Sequence, residues 1–253
     1  MKLIQGDCRE YLFTCEPDLI DLTVTSPPYD NIRTYNNSST WGWAEFCSVA
    51  AGLWRVTKPG GVVVWVVGDA TIKGSETGTS FKQALFFMKC GFNLHDTMIW
   101  EKTGAGAVGS NLCYLQNFEY MFIFSKGRPK NINLIEDRSN KIVGKQNTSG
   151  SRDKNGTSQS KRTIITKKFG RRFNIWKLSG STHKIHKATF PEQLAEDHIL
   201  SWSNKGDLVL DPMCGSGTTC KMAKYNGRNF IGMDCSEEYC EIARKRISQE
   251  ALE

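Results

Sequence analysis

The sequence predicts an α/β fold built on a largely parallel sheet. Three observations carry that expectation. Strand-length apolar runs alternate with segments of helical periodicity along most of the 253 residues. One run, Val62-Val63-Val64-Trp65-Val66-Val67, is apolar throughout, as a strand covered on both faces is. Two other runs end in loops rich in proline or glycine, and open α/β sheets hold their ligands just past the C-terminal ends of strands.

Taken in order, residues 1–7 read as a short strand ending at Gly6-Asp7, and Arg9 to Phe13 as a short helix. Residues 18–26 read as a buried strand that runs into Ser26-Pro27-Pro28-Tyr29. The prolines forbid both helix and further ladder pairing, so the chain leaves the sheet through a stiff loop carrying a hydroxyl and an aromatic ring. Asn31 to Thr40 is polar and turn-rich. Trp41 to Thr57 has helical spacing, and Lys58-Pro59-Gly60-Gly61 is expected to stop that helix. After the strand at 62–67 come a small polar loop at 71–80, a helix from Phe81 to Cys90 closed by Gly91, and strands at 94–100 and 120–124. The stretch Gly104 to Ser110 reads as a mobile loop over a pocket or simply a long connection.

Residues 126–170 lack clear periodicity, and 144–160 are almost free of apolar side chains. They are expected to be an insertion, partly disordered without a partner. Phe173 to Trp176 returns to strand-like sequence. Pro191 opens a helix in its first turn. A short strand, Asp207 to Asp211, leads into Met213-Cys214-Gly215-Ser216-Gly217-Thr218-Thr219 and a helix ending near Gly227. Asn229 to Met233 is a strand closed by Asp234, and Ser236 caps a final helix through Arg246.

Charge is uneven. Residues 126–175 hold 14 Lys and Arg against 3 acids, a local excess of +11 in a chain whose net is +7, so the remainder carries −4. Such an excess points to a polyanionic partner, with a solvated surface loop as the plain alternative. No apolar run approaches the roughly 18 to 20 residues of a membrane span, and no secretory leader is evident at the start. The nine cysteines include no CxxC pair, which fits a reducing, cytoplasmic setting without a disulfide framework. His183 and His186 form a lone HxxH lacking a second ligand pair, so no metal site is expected.

The glycine turn after Asp211 follows a strand and opens a helix, a geometry that lets backbone approach a ligand closely. Asp234 ends the next strand, where a carboxylate can take the two hydroxyls of a ribose. The turn is neither GxGxxG nor a GxxxxGK[ST] phosphate loop. It suits a nucleoside without a polyphosphate, and Asp211 suits a cationic amine. S-adenosylmethionine meets both demands. A structural strand–turn–helix unit is the alternative, as a plain proline turn is for Ser26 to Tyr29.

Taken together, Thr-Ser-Pro-Pro-Tyr at 25–29 and Asp-Pro-Met-Cys-Gly-Ser-Gly-Thr-Thr at 211–219 resemble the amino-methyltransferases that modify exocyclic amines of DNA bases. The order, with the proline motif first, then the basic segment, then the glycine turn, resembles the circularly permuted beta group. Gly6-Asp7-Cys8, Lys58-Pro59-Gly60-Gly61, Asn174-Ile175-Trp176, Thr189-Phe190-Pro191 and Phe230 to Asp234 match as well. The resemblance implies a Rossmann-like methyltransferase sheet with its catalytic half at 1–125, a basic target-recognition insert at 126–172 and the cofactor-binding half at 173–253. It implies that the strand at 1–6 lies beside the strand ending at Asp234. It implies S-adenosylmethionine as cofactor, held by Asp7 and Cys8 near the adenine, by Asp234 at the ribose, and by Thr189, Phe190 and Asp211, Pro212, Met213, Cys214, Gly215, Ser216, Gly217 and Thr218 around the methionine part, with Cys235 also in the cofactor site.

The same resemblance implies duplex DNA as substrate, with the target base flipped out of the stack. Ser26 and the Pro27 carbonyl would accept the amine hydrogens, Pro28 would stiffen the loop and Tyr29 would stack on the base. Arg33, Lys161, Arg162, Lys167, Lys168, Arg171 and Arg172 would contact DNA. A serine at the first motif position resembles the cytosine-N4 enzymes more than the adenine-N6 ones. Adenine N6, an RNA or protein amide acceptor, and a non-catalytic nucleic-acid-binding protein that keeps the fold are the alternatives. A cognate restriction endonuclease is a partner the family allows, and no membrane is implied.

Overall fold

The computed structural model describes residues 1–28, 41–104, 113–149, 155, 162–180 and 190–248. Its main body is an eight-stranded sheet with strand order β1-β14-β13-β2-β3-β7-β6-β12. In chain order the elements of this unit are β1 (Lys2–Gln5), α1 (Cys8–Thr14), β2 (Ile20–Thr25), α2 (Trp43–Val56), β3 (Thr57–Val67), the small pair β4 (Thr71–Ile72) and β5 (Ser75–Glu76), α3 (Thr79–Cys90), β6 (Asn93–Thr103) and β7 (Phe118–Ser125). After the insert come β12 (Ile175–Ser179), α4 (Glu192–Trp202), β13 (Leu208–Asp211), α5 (Thr218–Tyr225), β14 (Asn229–Asp234) and α6 (Glu237–Ser248). Strands β1, β14, β13, β2 and β3 run parallel, β7 is antiparallel to both β3 and β6, and β12 is parallel to β6. No helix among the described residues is long and apolar enough to cross a membrane.

The uninterrupted apolar run in β3 now has its reason. Val62, Val64 and Val66 face a core that includes Leu194, Ala195 and Ile199 of α4 and Ala223 of α5. Val63, Trp65 and Val67 face the opposite core, with Leu12 of α1, Phe46 and Leu53 of α2 and Phe87 of α3. Alternate side chains enter two separate cores, so no position is left for a polar residue. The second core is largely aromatic. Trp65 and Phe87 pack at 5.0 Å between ring centroids and Phe87 stacks on Phe124 at 4.5 Å. Such pairs contribute about 0.5–1.5 kcal/mol each beyond area burial.

The sheet joins the two ends of the chain. Gln5 of β1 is in register with Asp234 of β14, and the Gly6 N–H donates to the Asp234 carbonyl at 3.0 Å. The neighbourhood of Asp7-Cys8 and Asp234 that the permuted order implied is therefore present.

Lys58-Pro59-Gly60-Gly61 differs from expectation. It lies within β3, opposite a register irregularity between Ile20 and Leu22 of β2. The extra residues bulge outward and meet the chain just past β7, where Gly60 N–H donates to the Lys126 carbonyl and Lys130 N–H to the Gly60 carbonyl. Lys58 Nζ reaches Asp21 Oδ2 at 2.7 Å. Proline and glycine here bend a strand after the helix has already ended at Val56.

Leu134–Phe173 forms a second unit, while 126–133 belong to the first. In the first unit Lys126 Nζ binds Asp18 and the Trp54 carbonyl, and Asn131 Nδ2 donates to Asp207. In the second, β8 (Arg138–Ser139) pairs antiparallel with β11 (Phe169–Gly170), and β9 (Gln146–Ser149) with β10 (Arg162–Ile165). The nested pairings make one two-stranded ribbon. These strands were not anticipated from the sequence. The ribbon is held by backbone ladder bonds and carries little apolar alternation, so hydrophobic periodicity could not reveal it.

Candidate active site

The site lies at the C-terminal ends of β2, β13 and β14. Thr25 is the last residue of β2, and Ser26, partly exposed, and Pro27, buried, follow it. Neither Pro27 nor Pro28 has an N–H, so the ladder stops at Thr25. Tyr29 and Arg33 lie outside the described residues, as do Thr189, Lys161, His183 and His186.

Two side-chain bonds tie the proline motif to the glycine turn. Thr25 Oγ1 donates to Asp211 Oδ1 at 2.8 Å, across 186 residues of sequence. Thr219 Oγ1 donates to the Val24 carbonyl at 3.1 Å. The Met213 N–H also donates to Asp211 Oδ1, at 3.2 Å. Asp211 is only 3% exposed. Burial pushes its carboxyl up to about 6, although the bonds from Thr25 and the Met213 N–H favour the charged form. The carboxylate is enclosed, and its Oδ1 accepts both of these bonds from within the protein.

The turn itself is shaped by two glycines. Gly217 caps α5 at φ 80°, and a Cβ there would meet the Ala243 Cβ at 2.9 Å. In the neighbouring strand a Cβ on Gly232 would meet Cys220 Sγ at 2.5 Å, so β14 can lie this close to α5 only with glycine. Pro212, Cys214, Ser216 and Thr218 are buried; Met213 and Gly215 are the partly exposed members of the turn. Ser216 faces inward because Arg246 Nη1 donates to its carbonyl at 2.8 Å and to its Oγ at 2.6 Å. Arg246 Nη2 also binds Glu192 at 2.7 Å, and Lys221 binds the same carboxylate at 2.9 Å. Burial alone would raise the Glu192 carboxyl, but the two cations hold it below the usual range.

Asp234 closes the other side. Its Oδ2 accepts the Gly215 N–H and its Oδ1 the Ser236 N–H, each at 2.9 Å. Burial raises its carboxyl, against the pull of those two N–H groups. Each oxygen keeps a lone pair for a further donor. Cys235 is exposed, and Phe190 is buried in the core shared with α4 and α5.

Asp7 and Cys8 open α1 beside the end of β14. Asp7 caps α1 and its carboxylate is gripped by Arg9, at 2.6 Å from Nη2. The bond from Arg9 holds the Asp7 carboxyl below its ordinary value. Cys8 is buried, and burial pushes its thiol up to about 12, with Asp7 and Cys235 adding to the rise. That thiol has no use as a nucleophile.

In the insert, Lys167 pairs with Glu136 at 2.8 Å and Arg172 with Asp137 at 2.5 Å, so these two cations are not free-standing phosphate grips. Exposed pairs of this kind contribute only about 0–1 kcal/mol and exchange readily for another anion. Lys168 lies over the Phe169 ring, and the Arg171 side chain is exposed. Arg162 starts β10.

Sequence reasoning missed Thr25, Thr219 and Arg246 as site residues. Thr25 and Thr219 are the first and last residues of the two motifs, and that position was the available signal. Arg246 carries none: a basic residue in a helix's last turn is ordinary.

A family model described as DNA methylase matches residues 20–245. The orphan methyltransferase M.BamHII of Bacillus amyloliquefaciens is 55% identical over 259 residues, covering 98% of this chain and 92% of that protein. The chain belongs to the DNA methylase family. The Type II methyltransferase M.SmaI of Serratia marcescens is 24% identical, covering 97% of this methylase and 90% of that protein. Among solved structures, PvuII DNA methyltransferase (cytosine-N4-specific) matches 99% of the methylase and 87% of its own chain, with TM-score 0.71 and 21% identity. TTHA0409 of Thermus thermophilus, complexed with S-adenosyl-L-methionine, matches 98% and 93% with TM-score 0.66 and 22% identity. The Rossmann-like methyltransferase fold is thereby shown. The order of proline motif, insert and glycine turn puts this methylase in the beta group of amino-methyltransferases.

Proposed function

We propose that this methylase transfers a methyl group from S-adenosylmethionine to the exocyclic N4 amine of cytosine in duplex DNA, at a site-specific target flipped out of the helix. The observation that carries the reading is the 2.8 Å bond from Thr25 to Asp211, because it joins the strand end bearing Ser26-Pro27-Pro28-Tyr29 to the turn that would hold the cofactor. The donor set fits such a cofactor. Asp234 offers lone pairs at the end of β14, the turn has no lysine for a polyphosphate, and the partly exposed Met213 and Gly215 leave backbone within reach.

When bound, S-adenosylmethionine supplies an electrophilic methyl on sulfur. The work left to the chain is positioning and polarisation. An exocyclic amine is a weak nucleophile because its lone pair is delocalised into the ring. Ser26 Oγ and the Pro27 carbonyl oxygen accept its two hydrogens, which pyramidalises the nitrogen and frees the lone pair. Tyr29 stacks on the flipped base. Asp234 orients the ribose hydroxyls, and Thr25 fixes the distance between the two halves of the site. The basic insert, proposed as the target-recognition element, grips phosphates while its other side chains read base edges.

The choice of cytosine rests on Ser26 in the first motif position; adenine N6 would use the same carbonyl and ring. Labelled methyl transfer to duplex DNA, followed by nucleoside analysis, tests the reading. N4-methylcytosine is expected, and N6-methyladenine would move the assignment to the other amine.

A further inference from the structure

Beside the proposed methyl-transfer site is a second cleft, of about 570 Å³, lined by Trp41, Trp43, Ile72, Thr77, Lys82 and Gln83 among others. Its volume is that of a small-molecule pocket. We propose that it binds a nucleotide of the DNA strand outside the flipped base, with an indole as stacking surface and Lys82 on the phosphate. This inference rests on the reading of the chain as a DNA methyltransferase.

Four observations converge. First, the cleft has an unusual exposed aromatic. Trp43 is 49% exposed although it sits in the first turn of α2, where its ring packs at 5.1 Å on Phe46 and 5.6 Å on Phe86. Those contacts fix one edge of the indole and leave the remainder open. A base stacks on such a surface whatever its identity, since every base has a π-face.

Second, the opposite wall is pre-formed. The buried Asp69, just past β3, accepts the Ser80 N–H at 2.8 Å and the Thr77 hydroxyl at 3.3 Å. Thr77 N–H donates to the Ala70 carbonyl at 2.9 Å. These bonds hold the β4–β5 hairpin, with Ile72 56% exposed, against the start of α3. The cleft therefore loses little ordering entropy when occupied.

Third, its charge suits a phosphate. Lys82 is exposed and makes no ion pair among the described residues. The nearby Glu45 is partnered by Arg9 at 3.5 Å. Glu76 stands on β5 and Lys73 in the turn before it, both exposed.

Fourth, the cleft is coupled to the catalytic strand. Thr25 of β2 is in register with Trp65 of β3, and Trp65 Nε1 donates to Gln83 Oε1 at 2.8 Å. Gln83 lines the cleft. In sequence, Tyr29 and Trp41 stand at the two ends of one short connection (one end in the catalytic motif, the other in the cleft wall). A strand whose base sits at Ser26 must continue past one side of it, and the cleft offers a surface there.

The test uses the intact chain and measures methyl transfer to plasmid DNA, giving separate KM values for DNA and for S-adenosylmethionine. Trp43→Ala is expected to raise the DNA KM about 5- to 100-fold. Lys82→Ala is expected to raise it about 3- to 10-fold and to flatten its salt dependence. Trp43→Phe, which keeps a stacking ring, should restore most of the loss. The KM for S-adenosylmethionine should not change. Lys82 is exposed, so its variant decides the matter even if Trp43→Ala proves unstable. An unchanged DNA KM and salt slope in Lys82→Ala would overturn the proposal. So would a self-association that Lys82→Ala abolishes while the DNA KM stays the same, since the cleft would then hold a second copy. Failure of the wild type to methylate any DNA removes the underlying reading, and with it this inference, before a variant is made.

Discussion

Thr25 donates its hydroxyl to the buried carboxylate of Asp211 at 2.8 Å, joining two motifs 186 residues apart. Hydrogen bonds to charged groups contribute about 1.5–3 kcal/mol, and a buried acceptor left without its donor loses all of that. Thr25→Val keeps the shape and removes the donor. It is expected to lower unfolding stability by about 2 kcal/mol and to slow methyl transfer, with Thr25→Ser restoring both. Urea unfolding and a transfer assay on the same preparations check this. Full activity and stability in the valine variant would show that the bond links nothing of consequence.

Asp211 also makes stability depend on pH in a definite direction. Its carboxyl is raised in the folded chain to about 6 from an ordinary 3.8. Between those values the folded chain holds a proton that the unfolded chain has released. Stability therefore falls as pH rises through that window, by roughly 3 kcal/mol at most, and levels off above it. Asp234, also raised by burial, adds a change of the same sign. Asp211→Asn should flatten the slope without abolishing it. Urea midpoints measured at intervals from pH 4 to pH 7 test this, and an unaltered slope in the variant would assign the titration to another group.

Ser26→Ala and Tyr29→Ala are expected to reduce transfer to background while cofactor affinity, measured by calorimetry, survives. The reasoning is that both act on the acceptor amine and neither belongs to the glycine turn. Either variant methylating at the normal rate contradicts the role given to the proline motif.

Asp234→Ala should weaken S-adenosylmethionine binding at least tenfold, about 1.4 kcal/mol. The change removes the proposed ribose acceptor and also frees the Gly215 and Ser236 N–H groups that it now orients. Unchanged affinity would count against the ribose role.

The parts of this fold legible in the sequence were those whose physics is local. Val62 to Val67 announced a doubly covered strand because its two neighbouring cores both demand apolar residues. Ser26-Pro27-Pro28-Tyr29 announced a strand end because proline cannot extend a ladder. The neighbourhood of Gly6 and Asp234 followed from motif order. What was illegible depends on distant partners. Lys58-Pro59-Gly60-Gly61 looked like a helix stop, but its bulge is fixed by Lys126 and Lys130, more than sixty residues on. The pairings of β8 with β11 and of β9 with β10 rest on backbone ladder bonds, which leave no periodic signature. The burial of Asp211 and its bond to Thr25 exist only once β13 lies beside β2. Arg246 reaches Ser216 from the last turn of α6, a contact that the order of elements allows but does not specify.

The measurement that tests the central claim most directly is mass-spectrometric analysis of nucleosides from DNA incubated with the purified chain and isotope-labelled S-adenosylmethionine. The account predicts labelled N4-methylcytosine, absent when Ser26→Ala replaces the wild type. Labelled N6-methyladenine alone would contradict the choice of base, and no labelled nucleoside at all would contradict the proposed activity.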